Sequence, residues 1–492
     1  MDWMIILPVL IPFCGALYLL FCGRRFTKPA MRICTVSFVL AAGLMTLALI
    51  LKDTTEWTAF ELMPKLPLYF RVDGIAKLFA GLTASMWLVS TVFSFKYMDH
   101  QEKEYRYQMF SMLALGALLG VCFSGNLITT YLFYELMTLA TFPIVMHEQT
   151  KEAISAGMTY LFYSVAGAFL GLVGIFFLYA NADEAVRPGG ILGYIPGGFL
   201  KADASKEVLL PVVFLMLLGF ACKAGMFPLH GWLPKAHPVA PAPASALLSG
   251  NITKMGVLFI LRVLFYSVGA DFIKGTWVQT VLLTLSVITV FLGSLLAYRE
   301  KIFKKRLAYS TVSQVSYCLT GIFLLSETAL VGALLHVVFH SIIKNLLFLC
   351  AGAVIVRTGR TRIDELTGIG RKMPVTMWCF TIAGLALVGI PPMNAFVSKW
   401  YLATGALSAG VPVFSYLAPV VLLLSALLTA GYLLTVSAAA FFGHEGAKDT
   451  KNCEKSGLLL VPLVILAVAC VMFGILPNGL TNFITECLTG LL

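Results

Sequence analysis

The sequence lacks the cysteine pairs that hold most iron–sulfur clusters and structural zinc ions. Its eleven cysteines are scattered singly, and none belongs to a Cys-x-x-Cys pair. No glycine-rich nucleotide loop follows a predicted strand, because the sequence predicts hardly any strands. We therefore expect no cofactor and no active site in this chain. If redox chemistry drives the protein, other subunits must carry the redox centres.

Charged residues are also scarce. They make up 12% of the 492 residues, against about 25% in soluble domains, and 59% are hydrophobic. Apolar runs of 18 or more residues recur along the chain, each long enough to cross about 30 Å of hydrocarbon. The pattern predicts an all-α polytopic membrane protein, with residues 1–492 forming a single integral membrane domain. We expect about 14 transmembrane helices, centred near residues 12, 41, 84, 115, 136, 168, 219, 253, 287, 313, 342, 389, 427 and 466.

The net charge of +11 comes from basic residues whose placement along the chain indicates a membrane topology. Most basic residues stand after odd-numbered runs, in clusters that begin at Arg24, Arg299 and Arg357. The positive-inside rule places these loops in the cytoplasm and both termini outside. We expect a multi-pass protein of the inner (plasma) membrane of a prokaryote, with the lipid bilayer as a partner and no contact with nucleic acid.

A few ionisable residues remain inside the apolar runs. Each ionised group at mid-membrane costs about 2.5–3.5 kcal/mol on insertion scales, so these side chains must face protein or water. Structural pairing between helices is one explanation, but the basic groups outnumber the acids and pairing cannot neutralise them all. The pattern favours a proton path. The ionisable residues inside the runs are Glu135, Lys223, Lys254, Arg262, His336, His340, Lys344 and Lys399. Of these, Arg262 lies near the end of run 8 and is expected to be a structural or interfacial anchor.

The spacing of these groups predicts their roles. Glu135 and Lys223 lie about midway along runs 5 and 7, where a nearby carboxylate favours a charged lysine and its withdrawal favours a neutral one. In run 11, His336, His340 and Lys344 recur every four residues near one helix face. A metal site would need a carboxylate or cysteine that the run lacks, so a titratable stripe is the better interpretation.

Helix breakers interrupt two of the runs. Gly225 and Pro228 follow Lys223 in run 7, and Pro391 and Pro392 precede Lys399 in run 12. Unwound backbone is tolerated at membrane depth only beside protein or water. Two broken helices five runs apart are typical of inverted repeats in transporters. We expect a first five-helix repeat at about 107–267 and a second at about 277–442.

Three segments carry a specific family resemblance: "KAGMFPLHGWLPKAHPVAPAPASALLSG", "HVVFHSIIKNLLFLCAGA" and "GIPPMNAFVSKW". They resemble the antiporter-like subunits of respiratory complex I, Mrp-type cation/proton antiporters and energy-converting membrane-bound hydrogenases. The resemblance implies fourteen transmembrane helices, two inverted five-helix bundles and proton transfer along a hydrated axis at mid-membrane. It assigns Glu135, Lys223 and Lys254 to the family's glutamate and lysines, His336, His340 and Lys344 to the span 11 pattern, and Lys399 to a terminal lysine.

Within that superfamily, Lys399, the wording "FVSKWYL" and the length look most like the Mrp D subunit. Ala395 stands where glycine is frequent in the family. The sequence ends soon after run 14, so the long lateral helix of the largest complex I member is not expected. The chain is then one component of a hetero-oligomeric complex that moves protons, with Na⁺ as a second candidate ion. His230 and His237, expected in a loop at the cytoplasmic end of run 7, are candidate proton-entry groups.

Three alternatives stay open at this level. In the first, the chain is an ion-pumping membrane subunit of a hydrogenase or complex-I-like oxidoreductase. In the second it is a solute carrier that acts alone, and in the third it is a purely structural subunit. No substrate site separate from the lysine row supports the solitary carrier, and the buried titratable row argues against a structural role.

Overall fold

The protein is described by a computed structural model that covers residues 2–63, 66–101, 103–183, 192–443, 453–454 and 456–491. These residues are predominantly helical, as the sequence predicts. The α-helices are α1 (Leu7–Cys22), α2 (Lys28–Ile50), α3 (Gly74–Tyr97), α4 (Glu104–Phe123), α5 (Leu127–Val145), α6 (Lys151–Ala180), α7 (Lys206–Ala224), α8 (Leu233–Val239), α9 (Ala242–Leu247), α10 (Thr253–Val263), α11 (Ala270–Ile273), α12 (Trp277–Arg299), α13 (Phe303–Phe323), α14 (Glu327–Thr358), α15 (Pro374–Val388), α16 (Asn394–Ser408), α17 (Phe414–Phe442), α18 (Gly457–Ile475) and α19 (Asn478–Leu488).

Twelve helical segments within the described ranges are long and apolar enough to cross a membrane. The chain is therefore a polytopic helical membrane protein. The expected total of about 14 requires two more spans. One is α13, whose buried face is rich in serine and threonine, and the other is the pair α15 and α16, each of which is too short to span the membrane alone. That total stays a prediction.

A β-hairpin joins α2 to α3, where the sequence predicted hardly any strands. Strand β1 (Thr55–Met63) pairs antiparallel with β2 (Leu66–Val72), and the register places Trp57 opposite Phe70. Their rings stack with centroids 6.0 Å apart. Residues 55–60 of β1 alternate half-buried with exposed side chains, and β2 combines half-buried with buried ones. This short alternation lies outside the apolar runs, so a search for membrane helices does not detect it.

The two predicted helix breaks are confirmed. Helix α7 ends at Ala224 and is followed by Gly225, whose φ of +81° lies in the left-handed region, and the chain turns before α8 begins. Helix α15 ends at Val388 and is followed in the same way by Gly389, with φ of +89°, before α16 begins. Glycine reaches this conformation without the penalty that a Cβ imposes. Each break leaves helix-terminal carbonyl groups that need new donors.

The helix that carries Lys254 is irregular. Helices α9 and α10 join through a π-helical segment at Leu248–Ile252, and a second one, Leu264–Val268, follows α10. Every residue from 242 to 268 is buried. Such π segments insert an extra residue into a helix and are frequent at functional sites.

Helix α14 forms the centre of the second half of the chain. It packs against α13, α15, α16 and α18, and it also contacts α3 and α9 from the first half. Residues 329–354 of α14 are buried without interruption, so no face of its middle part meets lipid. The polar groups that α14 carries are therefore enclosed by protein, as the cost of charge in hydrocarbon requires.

Candidate functional site

Lys223, the penultimate residue of α7, lies inside a cage of hydroxyl groups. Its side chain is 1% exposed, and its Nζ donates to Thr138 Oγ1 at 2.9 Å, Tyr160 OH at 3.0 Å and Ser164 Oγ at 2.9 Å. An ammonium group has three N–H donors, and all three are used here. The Tyr160 ring centroid lies 4.6 Å from Nζ, which adds a cation–π contact. The cage thus supports a positive charge with neutral partners only.

Glu135 and Lys223 are not in contact. The three hydroxyl acceptors occupy the ammonium, and Oε1 of Glu135 is buried with no hydrogen-bond partner. The two groups are close enough to interact through their charges but form no ion pair among the described residues. The switch predicted for this pair would need one side chain to move, and it stays a prediction.

Lys254 is the second residue of α10 and reaches across to α14. Its Nζ donates to the carbonyl of Ser249 at 2.5 Å and lies 2.8 Å from Nδ1 of His340. Both side chains are fully buried. If the lysine is the donor, His340 must be the neutral tautomer with its proton on Nε2. Nε2 of His340 is buried and has no hydrogen-bond partner in the described part of the chain.

His336 continues the path one helical turn away. The rings of His336 and His340 are nearly parallel, with centroids 5.8 Å apart. His336 contacts Ser398 Oγ through Nδ1 at 2.9 Å and Gln314 Oε1 through Nε2 at 3.1 Å. Tyr317 also stacks on His336, at a centroid distance of 5.3 Å. The imidazole therefore connects α14 to α16 and α13.

Lys399 lies at the second helix break. Its Nζ donates to the carbonyls of Leu387 and Val388, at 2.6 and 2.9 Å, which α15 leaves free where it ends. The same Nζ is 5.2 Å from the ring centroid of Tyr317, which contacts His336. A positive charge at a helix C-terminus is favoured by the helix dipole. The side chain is partly buried, unlike the other lysines of the row.

Lys344 is the third member of the predicted stripe on α14. Its Nζ donates to the carbonyl of Leu307 at 2.9 Å and to Ser310 Oγ, both on α13. His336, His340 and Lys344 are all fully buried, so the predicted stripe is enclosed by protein. Within the described parts of the chain no group of three His, Cys, Asp or Glu side chains is arranged to hold a metal ion.

The two candidate entry histidines differ in position. His230 lies in the turn between α7 and α8, half-buried, with Nδ1 lacking a partner. His237 was expected in a loop, and this is wrong: it belongs to α8 and is fully buried. Its ring stacks on Phe348 at 4.7 Å, and neither ring nitrogen has a hydrogen-bond partner among the residues that the structure describes. The prolines around His237 made the short helix α8 difficult to predict from the sequence.

Arg262, expected to be an anchor, forms a buried ion pair with Asp73. Its two Nη atoms donate to the two carboxylate oxygens at 2.6 and 2.7 Å. The rings of Tyr194 and Tyr266 lie 4.9 and 4.7 Å from the guanidinium carbon. Burial opposes the ionisation of Asp73, but the charge of Arg262 outweighs it and lowers the pKa of Asp73. Asp73 also caps α3 by accepting from the backbone N–H of Ala76.

The uncharged side chains that contact the buried lysines and histidines were not predicted from the sequence. They are hydroxyl, amide and phenol side chains that carry no charge and so did not stand out in apolar runs. The signal was available, since Thr138 follows Glu135 by about one turn and α13 concentrates polar residues. The partners are Thr138, Tyr160, Ser164, Ser249, Gln314, Tyr317 and Ser398.

Taken together, the buried lysines and histidines form a path of titratable groups inside a helical membrane protein. Direct contacts run from Lys254 to His340 and His336 and on to Ser398, the neighbour of Lys399. The fold and this row of side chains define a polytopic helical membrane protein with titratable groups buried in its interior. The chain belongs to the family described as NADH:quinone oxidoreductase/Mrp antiporter, transmembrane, whose model matches residues 124–429.

Individual relatives agree with this assignment. The chain is 32% identical to the NADH-quinone oxidoreductase N subunit of Desulforudis audaxviator, covering 89% of this chain and 88% of that one. It is 28% identical to the Na(+)/H(+) antiporter D subunit of Alkalihalophilus pseudofirmus, covering 96% and 94%. It superposes on a chain of the Mrp complex from Dietzia with a TM-score of 0.82 at 21% identity, over 100% of this chain and 98% of that one. This structural similarity to the Dietzia chain concerns the fold alone.

Proposed function

We propose that the chain is a proton-translocating, antiporter-like subunit of a multisubunit membrane complex, and that the complex is an Mrp-type cation (Na⁺)/H⁺ antiporter in which this chain is the D subunit. The observation that carries the proposal is the contact of Lys254 with His340, and of His336 with Ser398. Basic groups in hydrogen-bonding contact pass a proton between them without crossing hydrocarbon. Glu135, Lys223, Lys344 and Lys399 extend the path in both directions.

The proposed mechanism uses the charge of each lysine in turn. Protons enter in the half of the chain that contains α7 and α10, with His230 and His237 as candidate entry groups. They pass by Lys223, Lys254 and the α14 histidines and leave by Lys399. Glu135 controls the charge on Lys223. Moving a proton against 100 mV needs about 2.3 kcal/mol, so sodium flux or a redox reaction in other subunits must drive it.

The arrangement in the membrane follows from the charge distribution. We place the chain in the prokaryotic plasma membrane with both termini outside and the basic loops in the cytoplasm. The two broken helices support two inverted repeats at about 107–267 and 277–442. Sodium crossing through this chain itself is not part of the proposal.

A second candidate has a specific observation behind it. The higher identity to the N subunit of an NADH-quinone oxidoreductase favours a redox-driven complex, in which this chain would be an ion-pumping membrane component. The proton path would be the same, and the energy source would lie in other chains. A solitary solute carrier and a purely structural subunit both leave the buried row unexplained.

Affinity purification of the chain with its partners separates these candidates. Small membrane subunits alone support the Mrp proposal, whereas iron–sulfur or nickel proteins support the redox-driven alternative. In parallel, the purified complex and the chain alone are compared in proteoliposomes for Na⁺-dependent proton movement. We expect exchange only from the complex. Sustained exchange by the isolated chain would favour a solitary carrier.

A further inference from the structure

A polar pocket lies at the end of the chain's first half that is predicted to face the cytoplasm. It has a volume of about 210 Å³. Its rim includes the exposed residues Glu148 and Gln149, so bulk water reaches it. The pocket is lined by Gln101, Lys103, Arg106, His147, Glu148 and Gln149. None of these residues belongs to the path described above.

His147 forms the buried wall of this pocket. It is 4% exposed and follows the end of α5. Its ring meets that of Tyr107 edge to face, with centroids 5.7 Å apart. Its backbone carbonyl accepts a hydrogen bond from Arg106, which holds this turn against α4. The charged groups that share the pocket with His147 are Lys103, Arg106 and Glu148.

Tyr107 separates the pocket from a second, internal cavity. This cavity has a volume of about 10 Å³, and its hydroxyl-bearing wall residues are Tyr107 and Thr141. A volume of this order holds about one water, provided that polar partners are available. Most of the remaining wall is aliphatic, and the Nε1 of Trp87, which also lines it, donates elsewhere, to Ser111. A water here would therefore bridge Tyr107 to Thr141.

Thr141 connects the cavity to the lysine cage. Its Oγ1 lies 2.6 Å from the OH of Tyr160, and that OH accepts a hydrogen bond from Lys223 Nζ at 3.0 Å. Thr141 also donates to the carbonyl of Met137 at 2.8 Å. When Lys223 is charged, the hydroxyls can donate away from it, from Tyr160 to Thr141 to Met137. When it is neutral, the same hydroxyls can reverse and deliver a proton to its lone pair.

We propose that His147, Tyr107, the internal cavity, Thr141 and Tyr160 form an access route that brings protons from the cytoplasmic pocket to Lys223. This inference rests on the proposed function and adds an entrance separate from His230 and His237. In each step an O–H or N–H bond forms on the acceptor as one breaks on the donor. One proton leaves the pocket water and one reaches Lys223, with no other reactant.

The test measures the initial rate of Na⁺-driven proton movement by the assembled complex in everted membrane vesicles. Tyr107→Phe and Thr141→Val each remove one hydroxyl while keeping the shape. We expect each to slow the initial rate at least tenfold. The matched controls are Tyr105→Phe, whose hydroxyl accepts from Arg24 outside the route, and Thr159→Val, whose hydroxyl bonds its own helix. Both should retain the normal rate.

A second variant blocks the cavity without removing a polar group. Ile144 lines the cavity, and Ile144→Phe should fill it and slow the initial rate by a similar factor. Ile154→Phe is its control, because Ile154 is 43% exposed on the outside of α6. The ratio of rates in H₂O and D₂O should rise in the route variants, since proton access then limits the rate. A mere loss of folded complex would lower both rates equally and leave the ratio unchanged.

Lys223→Met in the same assay separates this inference from the proposed function. If Lys223→Met is inactive while Tyr107→Phe, Thr141→Val and Ile144→Phe exchange at the normal rate, the route is wrong and the function stands. If Lys223→Met itself keeps full exchange, the proposed function fails and the route fails with it. Slow exchange and a raised isotope ratio in the route variants alone support the route.

Discussion

Lys254 and His340 face each other at 2.8 Å between Nζ and Nδ1, fully buried and with no carboxylate between them. Two basic groups at this separation repel one another if both are protonated. The pair therefore disfavours a second proton. In the proposed mechanism, a proton that reaches one of these two groups displaces a proton from the other, in either direction between α10 and α14.

The first prediction concerns this pair. His340→Gln keeps a hydrogen-bond acceptor for Lys254 but cannot take up a proton. We expect the complex to assemble and to lose at least tenfold in exchange rate, measured with a pH-sensitive dye in everted vesicles. Lys201→Met, in an exposed connection, is the control for loss of a charge. Normal exchange by His340→Gln would show that the imidazole only positions Lys254.

The second prediction tests the coupling of Glu135 to Lys223. Glu135→Gln and Lys223→Met should each abolish ion coupling while assembly is largely retained, because the two charges act on each other across a gap. The change is read as Na⁺-driven proton movement at matched expression. Glu207→Gln provides an exposed carboxylate as a control. Correctly assembled Glu135→Gln with normal coupling would refute the switch.

The third prediction concerns Lys399 and the carbonyl end of α15. Arginine keeps the positive charge for these carbonyls but does not release a proton at accessible pH. We expect Lys399→Arg to assemble and to lose most transport, whereas Lys399→Glu keeps some, since a buried carboxylate can also titrate. A lysine that only stabilises the helix end would give the reverse order, with arginine active and glutamate disruptive. Proton movement in vesicles decides between them.

The fourth prediction is about stability. Asp73→Asn leaves the buried Arg262 guanidinium without its counter-charge and should lower the free energy of unfolding by about 3–5 kcal/mol. Glu56→Gln, which breaks the half-exposed pair with Arg71 at 3.2 Å, should cost no more than about 1 kcal/mol. Thermal unfolding of the solubilised complex measures both.

The pH dependence of the same variant follows from the direction of the pKa shift. Because folding lowers the pKa of Asp73, its contribution to stability is present above the unfolded pKa of about 3.9 and is lost as pH falls through the folded value. The difference in melting temperature between the parent protein and Asp73→Asn should be constant near neutral pH and shrink below about pH 4. A constant difference down to pH 2 would contradict it.

The sequence predicted the parts of the site that are costly in a membrane. Lys223, Lys254 and the α14 stripe stand out because charge is rare in apolar runs, and the structure encloses all of them. The helix breaks at Gly225 and Gly389 were predicted for a related reason, since proline and glycine interrupt an apolar helix visibly. Residues that violate a strong physical expectation are easy to find.

The structure added what depends on tertiary contact. Thr138, Tyr160 and Ser164 surround Lys223 from two other helices, and nothing in their local sequence marks that meeting. The separation of Glu135 from Lys223 could not be predicted either, because equal depth in a membrane does not fix which faces two helices present. His147 and Tyr107 looked like ordinary residues at helix ends until the pocket and the cavity placed them in one line.

The π-helical segments on both sides of α10 give this helix extra residues. Each holds a residue more than an α-helical turn needs, and in an α-helix one residue corresponds to a rotation of about 100°. If the extra residue of Leu248–Ile252 shifts along the helix, α10 can rotate without breaking its ends. Lys254, the second residue after that segment, would then move away from His340 on α14, and α10 also packs against α7. Rotation of this irregular helix would then let Lys254 carry a proton between the two halves of the chain.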